Sequence, residues 1–247
     1  KNYTYSPILV NGTWAENRLK ATLKVDDPNV RSQVAASYDT RGGNNAYTLH
    51  ADVAQLNLYN LHLTDKHETS RFAFKVNGNL TGNNLDALRG QIALDSLQLE
   101  DPAHTWTMKH FALGSFPNGA QQVYTIDSDF MQMRASGYFT PENLPGSVYN
   151  LLMDYEPTLL SVLMPESAKA ARKADKAARA GNANVLTFNA TVSDLSLLNE
   201  LFYIPVKAVN PMRISGAPNE ERGTLSLNMN VPQLRYDELQ FRNVTLN

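Results

Sequence analysis

Apolar and polar residues alternate with a period of two in both halves of the chain. Successive side chains of a β-strand point to opposite faces, so this alternation gives each strand one apolar face and one polar face. The pattern predicts a mainly β fold of antiparallel strands that are covered on one side. It is clearest in four segments, residues 19–25, 72–76, 186–192 and 225–231.

Clusters of Asp, Asn, Gly and Pro separate the alternating segments. These residue types adopt turn conformations at low cost, so we place turns between strands where they gather. The predicted turns are residues 26–29, 41–45, 82–84, 116–119 and 217–219.

The middle of the chain has a helical pattern instead. Its apolar residues recur every three or four positions, which is typical of one face of a helix. Pro157 should kink or divide this stripe, and residues 166–180 form a second, Ala-rich and basic helical segment. We therefore predict a β-rich segment 1–139, a helical insert 140–183, and a β-rich segment 184–247 that completes the sheet. The stripe contains Val148, Leu151, Leu152, Tyr155, Leu159 and Leu163.

One short pattern occurs twice. Ala51-x-Val53-x-x-Leu56-x-Leu58-x-Asn60-Leu61 returns as Ala190-x-Val192-x-x-Leu195-x-Leu197-x-Asn199, with Leu201 one place late. The echo indicates a chain that is built by repeating one strand and turn unit.

Composition excludes several classes of protein. The 43% hydrophobic content supplies a core, and the net charge of −2 gives no electrostatic reason to expect nucleic acid as a partner. Cysteine is absent, which excludes disulfides and thiolate sites. No apolar run reaches the roughly 18 residues of a membrane span. The chain starts without Met and stops after a strand-like run, so we read it as an excerpt and expect any anchor to lie outside it.

Signals of catalysis are weak. The chain has no nucleophile elbow, phosphate-binding loop or dinucleotide fingerprint. Asp127 and Asp129 share a strand face, and His62 and His67 bracket a turn, but solvated polar residues explain both pairs better than a metal site does. We expect no catalytic residue, no metal and no cofactor, and we expect that the protein is not an enzyme.

Several motifs together resemble a known family. They are the Ala51-x-Val53-x-x-Leu56-x-Leu58 strand, the turn at Gly82 with residues 85–90 after it, and the strand pair in residues 125–130 and 135–139. Residues 192–206 and 225–244 have the same style. The chain resembles TamB-like proteins of the AsmA-like superfamily, especially those of Bacteroidetes.

The resemblance implies a curved antiparallel sheet, folded into a taco-like or sandwich-like apolar trough. It also implies the periplasmic portion of an inner-membrane-anchored envelope protein that moves phospholipid to the outer membrane. Phospholipid or other acyl chains would be the ligands, and outer-membrane assembly proteins are possible partners. The expected lipid-groove residues are Leu19, Leu23, Val25, Phe72, Phe74, Val76, Leu186, Phe188, Val192, Leu225, Leu227, Met229 and Val231.

Other interpretations remain open at this stage. Periodicity alone favours an ordinary closed sandwich core over an open groove. The stripe Val148 to Leu163 either packs on the sheet or caps the groove, and the basic segment is either a solvated helix or a contact with anionic lipid. The alternative function is a protein-interaction module that adds a strand to its sheet and assists outer-membrane protein assembly. A carbohydrate-binding β domain is a third hypothesis.

Overall fold

β-Strands make up the described part of the chain. The computed structural model describes residues 3–4, 7–63, 71–84, 87–100, 105–119, 121–139, 184–193, 206–208, 211–236 and 239–246. These residues contain fourteen strands: β1 Ile8–Ala15, β2 Arg18–Asp27, β3 Val30–Asp39, β4 Ala46–Leu56, β5 Arg71–Thr81, β6 Arg89–Glu100, β7 Thr105–Asn118, β8 Gln121–Ser128, β9 Met131–Tyr138, β10 Val185–Val192, β11 Val206–Ala208, β12 Met212–Asn219, β13 Thr224–Tyr236 and β14 Leu239–Leu246.

The strands join in sequence order for most of the sheet. The hydrogen-bonded order is β1-β2-β3-β4-β5-β6-β7-β8-β9-β10-β12-β13. One edge of β13 pairs with β12 and, further along the strand, with the short β11. The other edge of β13 pairs with β14. The pairs from β1 to β6 and from β9 to β14 are antiparallel. The mainly β, antiparallel prediction is therefore confirmed, and in the described residues the order does not return to β1.

The chain divides into two compact units. Unit 1 contains β1 to β6 and most of β7, and unit 2 contains β9 to β14. Each unit has its own buried residues. Phe72, Leu97 and Leu99 are buried in unit 1, whereas Val192, Met212 and Val231 form a buried cluster in unit 2.

The turns of unit 1 follow the sequence closely. Glu16 and Asn17 join β1 to β2 with φ values of 49° and 58°, as a two-residue hairpin turn requires. Asn29 N donates to Asp27 Oδ1 over 2.8 Å in the predicted turn between β2 and β3. The predicted turns at 41–45 and 82–84 also lie between strands.

Two predicted turns are misplaced. Of the predicted turn 116–119, residues 116–118 are the last residues of β7, and Gly119 lies in the turn that follows. Residues 217–219 are the last residues of β12, and the turn follows at residues 220–223. Pro218 is opposite Leu225 of β13, while the register with β10 skips Ala217 and Pro218. Because proline has no N–H, it interrupts the ladder on one side of the strand and leaves the other side paired.

Two β-bulges keep the apolar face of unit 1 continuous. In β4, Val53 pairs with Ser32 while Gln55 pairs with Arg31, so Ala54 is an extra residue. In β6, Ser96 and Leu97 together lie opposite the single residue Phe74, and Ser96 has a φ of 56°. An extra residue reverses the alternation. Consequently Val53 and Leu56 face the same side of the sheet.

The repeated pattern is only partly a strand. Leu56 ends β4, and Leu58 lies in the turn that follows, so the expectation that the strand extends to Leu58 is wrong. The physical reason is Asn57, whose side-chain oxygen accepts from Asn60 N over 2.8 Å and starts a tight turn. In the second copy, Ala190 and Val192 belong to β10, and the rest lies outside the described residues.

The predicted helical insert lies outside the described residues, as do all six members of its apolar stripe. The strands on either side of it are neighbours. β9 and β10 pair antiparallel from Tyr138 opposite Val185 to Met131 opposite Val192. Residues 140–183 therefore connect two adjacent strands of one sheet, and their helical character remains a prediction.

Candidate functional site

Unit 1 has one continuous apolar face. Residues that pair directly in an antiparallel sheet share a face. In β1, β3 and β5 the even-numbered residues lie on the apolar face, and in β2 the odd-numbered residues do. In β4 the odd-numbered residues lie on it before the bulge and the even-numbered residue Leu56 after it. In β6 the even-numbered residues lie on it before the bulge and the odd-numbered residues after it. One cross-strand row illustrates it: Val10, Leu23, Val34, Ala51, Val76 and Leu94.

The burial of this face falls from one end to the other. Leu99 is 0% exposed and Phe72 is 7% exposed where β4 ends and β5 begins, and we name this the closed end. Exposure rises along β2 from 8% at Val25 to 38% at Leu19, and along β6 from 0% at Leu99 to 37% at Ile92, and we name this second end the open end. The edge strand β1 is exposed along its whole length, with Trp14 58% exposed at the open end. From β2 to β6 the chain thus covers its own apolar face more fully at the closed end than at the open end.

Polar contacts hold the closed end together. The Tyr3 hydroxyl donates to Asp27 Oδ1 over 2.5 Å and accepts from Asn29 Nδ2 over 2.8 Å. Asn60 Nδ2 donates to Asn29 Oδ1 over 2.9 Å, which ties the turn after β4 to the turn between β2 and β3. Leu61 of that turn is buried. The hydrogen bonds satisfy the buried Asp27 carboxylate and fix the closed end.

Aromatic residues line the open end. Trp14 pairs with Leu19, Leu19 with Tyr38, Tyr38 with Tyr47, and Tyr47 with Leu80, so all five lie in one row. The rings of Tyr38 and Tyr47 stack with centroids 5.1 Å apart and planes 27° apart. This row is amphipathic, because Trp and Tyr combine an apolar body with a polar group.

A hollow of about 400 Å³ lies on the apolar face near the open end. Gly78 is at its floor. A methyl group on Gly78 would lie 3.5 Å from Leu49 Cβ and from Ile92 Cγ1, which is ordinary contact. The volume is within the usual range of small-molecule sites. The hollow is lined by Tyr47, Thr48, Leu49, Gly78, Leu80, Gly82, Asn84, Leu88 and Ile92.

Hydrogen bonds fix the rim of this hollow. Gly82 N donates to Asn45 O over 2.8 Å, and Asn45 N donates to Asn83 Oδ1 over 2.9 Å. Gly82 has a φ of 148°, and a Cβ there would lie 2.6 Å from Ala87 O, so only glycine fits. The hollow is therefore preformed.

Unit 2 fills the equivalent space with its own side chain. Phe188 pairs with Gly216, and a Cβ on Gly216 would lie 2.5 Å from Phe188 Cε1. The ring therefore occupies the space over this glycine. Around the buried Val192, Met212 and Val231 pack Met131, Met229 and Val244.

The opposite face of unit 1 is polar. Lys75 Nζ and Asp52 Oδ2 are 2.9 Å apart, and Ser37 Oγ and Thr48 Oγ1 are 2.7 Å apart. A depression of about 500 Å³ on this side is lined partly by charged groups, among them Lys24 and Lys75. These charged groups make the depression less suited to hydrocarbon than the hollow over Gly78.

An ion pair lies beside the open end. Arg41 donates through its side chain and its backbone N–H to Asp39, with Arg41 Nε 2.9 Å from Asp39 Oδ1. These hydrogen bonds, the side-chain ones first, lower the pKa of Asp39 from 3.8 to about 2. Arg18 Nε is 3.8 Å from the same carboxylate. Asp39 therefore remains charged in neutral and mildly acidic solution.

The structure places the thirteen expected groove residues on two faces. Leu19, Leu23, Val25, Phe72, Phe74 and Val76 share the apolar face of unit 1. The other seven share one face of β10 and β13 in unit 2, and three of them, Leu186, Val192 and Val231, are buried there. Their role in binding lipid remains a prediction.

Sequence analysis missed the aromatic row and the hollow. Tyr38, Tyr47 and Gly78 were not expected site residues, although β3 and β4 both alternate. The available signal was the period-two pattern of 34–38 and 47–53. It could not show that these residues share a row with Trp14, because the row depends on the register of four strands.

The alternative polar candidates are dispersed. Among residues with described positions, no three His, Asp or Glu side chains could hold a metal ion. Asp129 Oδ2 accepts from Lys109 N over 2.5 Å, and His62 lies edge-on to Tyr3 with ring centroids 6.3 Å apart. His67 lies outside the described residues. No helix in the described ranges has the length and apolar character to cross a bilayer.

No protein-family model, no curated protein and no solved structure is similar enough to this chain to count as a match. Function must therefore be argued from the faces of the two units.

Gly78 of unit 1 and Gly216 of unit 2 make a matched test, because the space above Gly78 is open and the space above Gly216 is filled by Phe188. Gly78→Ala should stabilise the protein by about 0.5–1 kcal/mol, because the methyl group has room and alanine loses less backbone entropy on folding. Gly216→Ala should destabilise it by about 1–3 kcal/mol, because the Phe188 ring must move. Urea unfolding measures both. Equal effects of the two substitutions would show that the hollow over Gly78 is not empty space.

The ion pair makes a prediction in acid. Arg41→Gln should raise the pKa of Asp39 from about 2 toward its ordinary 3.8, as seen in the carboxyl carbon shift by NMR. Because the folded-state pKa is the lower one, the pair stabilises the fold above the ordinary pKa, and this stabilisation is lost as the pH falls toward 2. Arg31→Gln, across the same sheet, is the control. A wild-type midpoint near the ordinary value would contradict the geometry.

Proposed function

We propose that the apolar face of unit 1 holds the acyl chains of lipids. The observation that carries the proposal is the fall in burial along this face. Six strands about 4.8 Å apart and five rows about 6.8 Å apart give a face of roughly 24 Å by 27 Å. The closed end of this face is covered, and the uncovered remainder is comparable with the roughly 300–600 Å² of the largest apolar patch on a typical monomer, which is often functional.

An acyl chain fits the chemistry of this face. Moving a chain of about 15 carbons into water costs on the order of 12 kcal/mol, at about 0.8 kcal/mol per CH₂. The aliphatic side chains of β2 to β6 and the hollow over Gly78 offer hydrocarbon contact that can offset this cost. Because the contacts are non-directional, binding should tolerate different chains.

The resemblance to TamB-like proteins gives this binding a setting. In that setting the chain is a periplasmic segment of an envelope protein, the sheet curves into a trough, and phospholipid moves along it to the outer membrane. The Ala51-Val53-Leu56 motif supports the resemblance, because its bulge keeps all three residues on the apolar face. In the same proposal the segment 140–183 is a helical insert that caps the groove.

The proposal predicts that a charge on the apolar face removes lipid binding. Leu23 is half-buried in the middle of this face, so Leu23→Asp should lower the lipid recovered with the purified protein at least tenfold. Thr22→Asp is the matched control, because Thr22 is the adjacent residue of β2 on the polar face. Mass spectrometry of extracted lipids gives the amounts, and circular dichroism shows whether each variant is folded.

Two outcomes would reject the proposal. One is folded wild-type protein that carries no lipid and binds none from micelles of a fluorescent phospholipid. The other is equal lipid binding by folded Leu23→Asp and Thr22→Asp proteins.

A second candidate function, addition of a partner strand, is favoured by β1. All eight of its residues are exposed, and it has neither charge nor proline to protect an edge. Asp26 N donates to Pro7 O, so the odd-numbered residues of β1 bond β2 and the N–H groups of Ile8, Val10 and Gly12 point away from it.

This geometry gives strand addition its own test. Val10→Pro should remove one outward N–H without breaking the pairing with β2, and should abolish capture of an extended outer-membrane-protein peptide. Lipid recovery should stay unchanged. Peptide capture that survives Val10→Pro, measured by fluorescence anisotropy, would exclude this edge as the site.

A further inference from the structure

The open end of unit 1 combines two features that the closed end lacks. The first is the aromatic row of Trp14, Tyr38 and Tyr47, with the partly exposed Leu19 among them. At the closed end, the corresponding row contains the buried Phe72 and Leu99. A sheet that only needed a core would bury both ends.

The second feature is cationic charge. Among the described residues, the open end carries Arg18, Lys20, Arg41 and Arg89 against Glu16 and Asp39. The closed end carries as many acids as bases, with Asp26, Asp27 and Glu100 against Lys24, Arg31 and Arg71. The side chains of Arg18 and Arg41 are 39% and 48% exposed, so both are accessible beside their contact with Asp39.

We propose that the open end of unit 1 docks on the surface of an anionic phospholipid bilayer. Trp and Tyr gather at the interface between lipid and water because each has an apolar ring and a polar atom. The exposed Leu19 supplies apolar area that enters the interface. The surrounding cations match the negative surface of the bilayer.

Docking in this position gives the apolar face a route for loading. The open end of the face meets the bilayer, so an acyl chain passes from one apolar environment to another without full exposure to water. This inference goes beyond the proposed function, because a protein can hold acyl chains without docking on a bilayer, and the two can fail separately.

Tryptophan fluorescence tests the docking directly. The chain has two tryptophans, so Trp106→Phe leaves Trp14 as the single reporter. With vesicles of phosphatidylcholine and phosphatidylglycerol, Trp14 emission should move to shorter wavelength and be quenched by brominated acyl chains. With phosphatidylcholine alone, or at high salt, the shift should be small. Trp14→Phe protein, which reports from Trp106, should show no shift.

Charge variants then locate the contact. Lys20→Gln with Arg41→Gln should weaken binding to the anionic vesicles roughly 30-fold, at about 1 kcal/mol for each basic residue. The matched control is Lys24→Gln with Arg31→Gln, which also removes two positive charges, but from the parts of β2 and β3 toward the closed end. This control should change binding less than about threefold.

Three results would overturn the docking proposal: no vesicle binding by the wild type, vesicle binding without a change in Trp14 emission, or equal loss in the two double variants. None of them bears on the lipid recovered with the purified protein. If lipid is recovered with the protein but vesicles are not bound, the docking proposal is rejected and the proposed function stands. If vesicles are bound but no lipid is recovered, the proposed function is rejected and the docking proposal stands.

Discussion

The rest of the structure depends on incomplete burial of one sheet face. An antiparallel sheet whose residues alternate between apolar and polar must cover its apolar side, because each large apolar side chain gains about 1.5–3 kcal/mol on full burial. In unit 1 the turn after β4, together with Tyr3 and Asn29, completes one end. At the other end Trp14 and Leu19 stay accessible. At the uncovered end, apolar side chains can still gain free energy if a partner buries them.

The two units treat the same problem differently. In unit 2 the Phe188 ring covers Gly216, and Val192, Met212 and Val231 are buried. In unit 1 the space over Gly78 is a hollow. Bulges at Ala54 and Ser96 cost hydrogen bonds in the ladder, yet they hold every large apolar residue from β4 to β6 on one face. The apolar face of unit 1 stays continuous through two register shifts and is left uncovered at one end, which suits a bound hydrocarbon chain.

Much of the fold could be predicted from local sequence. Alternation in residues 19–25 and 72–76 identified β2 and β5, because period-two patterns are set by strand geometry. The turn at 217–219 was misplaced, since proline is compatible with a strand that is paired on one side. The aromatic row was not foreseeable, because it needs the register of four strands. The segment 140–183 keeps its helical prediction, and no described residue bears on it.

The most direct measurement of the central claim is photocrosslinking with a phospholipid that carries a diazirine in its acyl chain, followed by peptide mapping. The account predicts adducts on Leu19, Leu23, Tyr47, Leu80 and Ile92, which lie on the apolar face of unit 1. Adducts confined to the polar face, at Lys24, Gln33 or Lys75, would contradict it, as would the absence of any adduct on β2, β4 and β5.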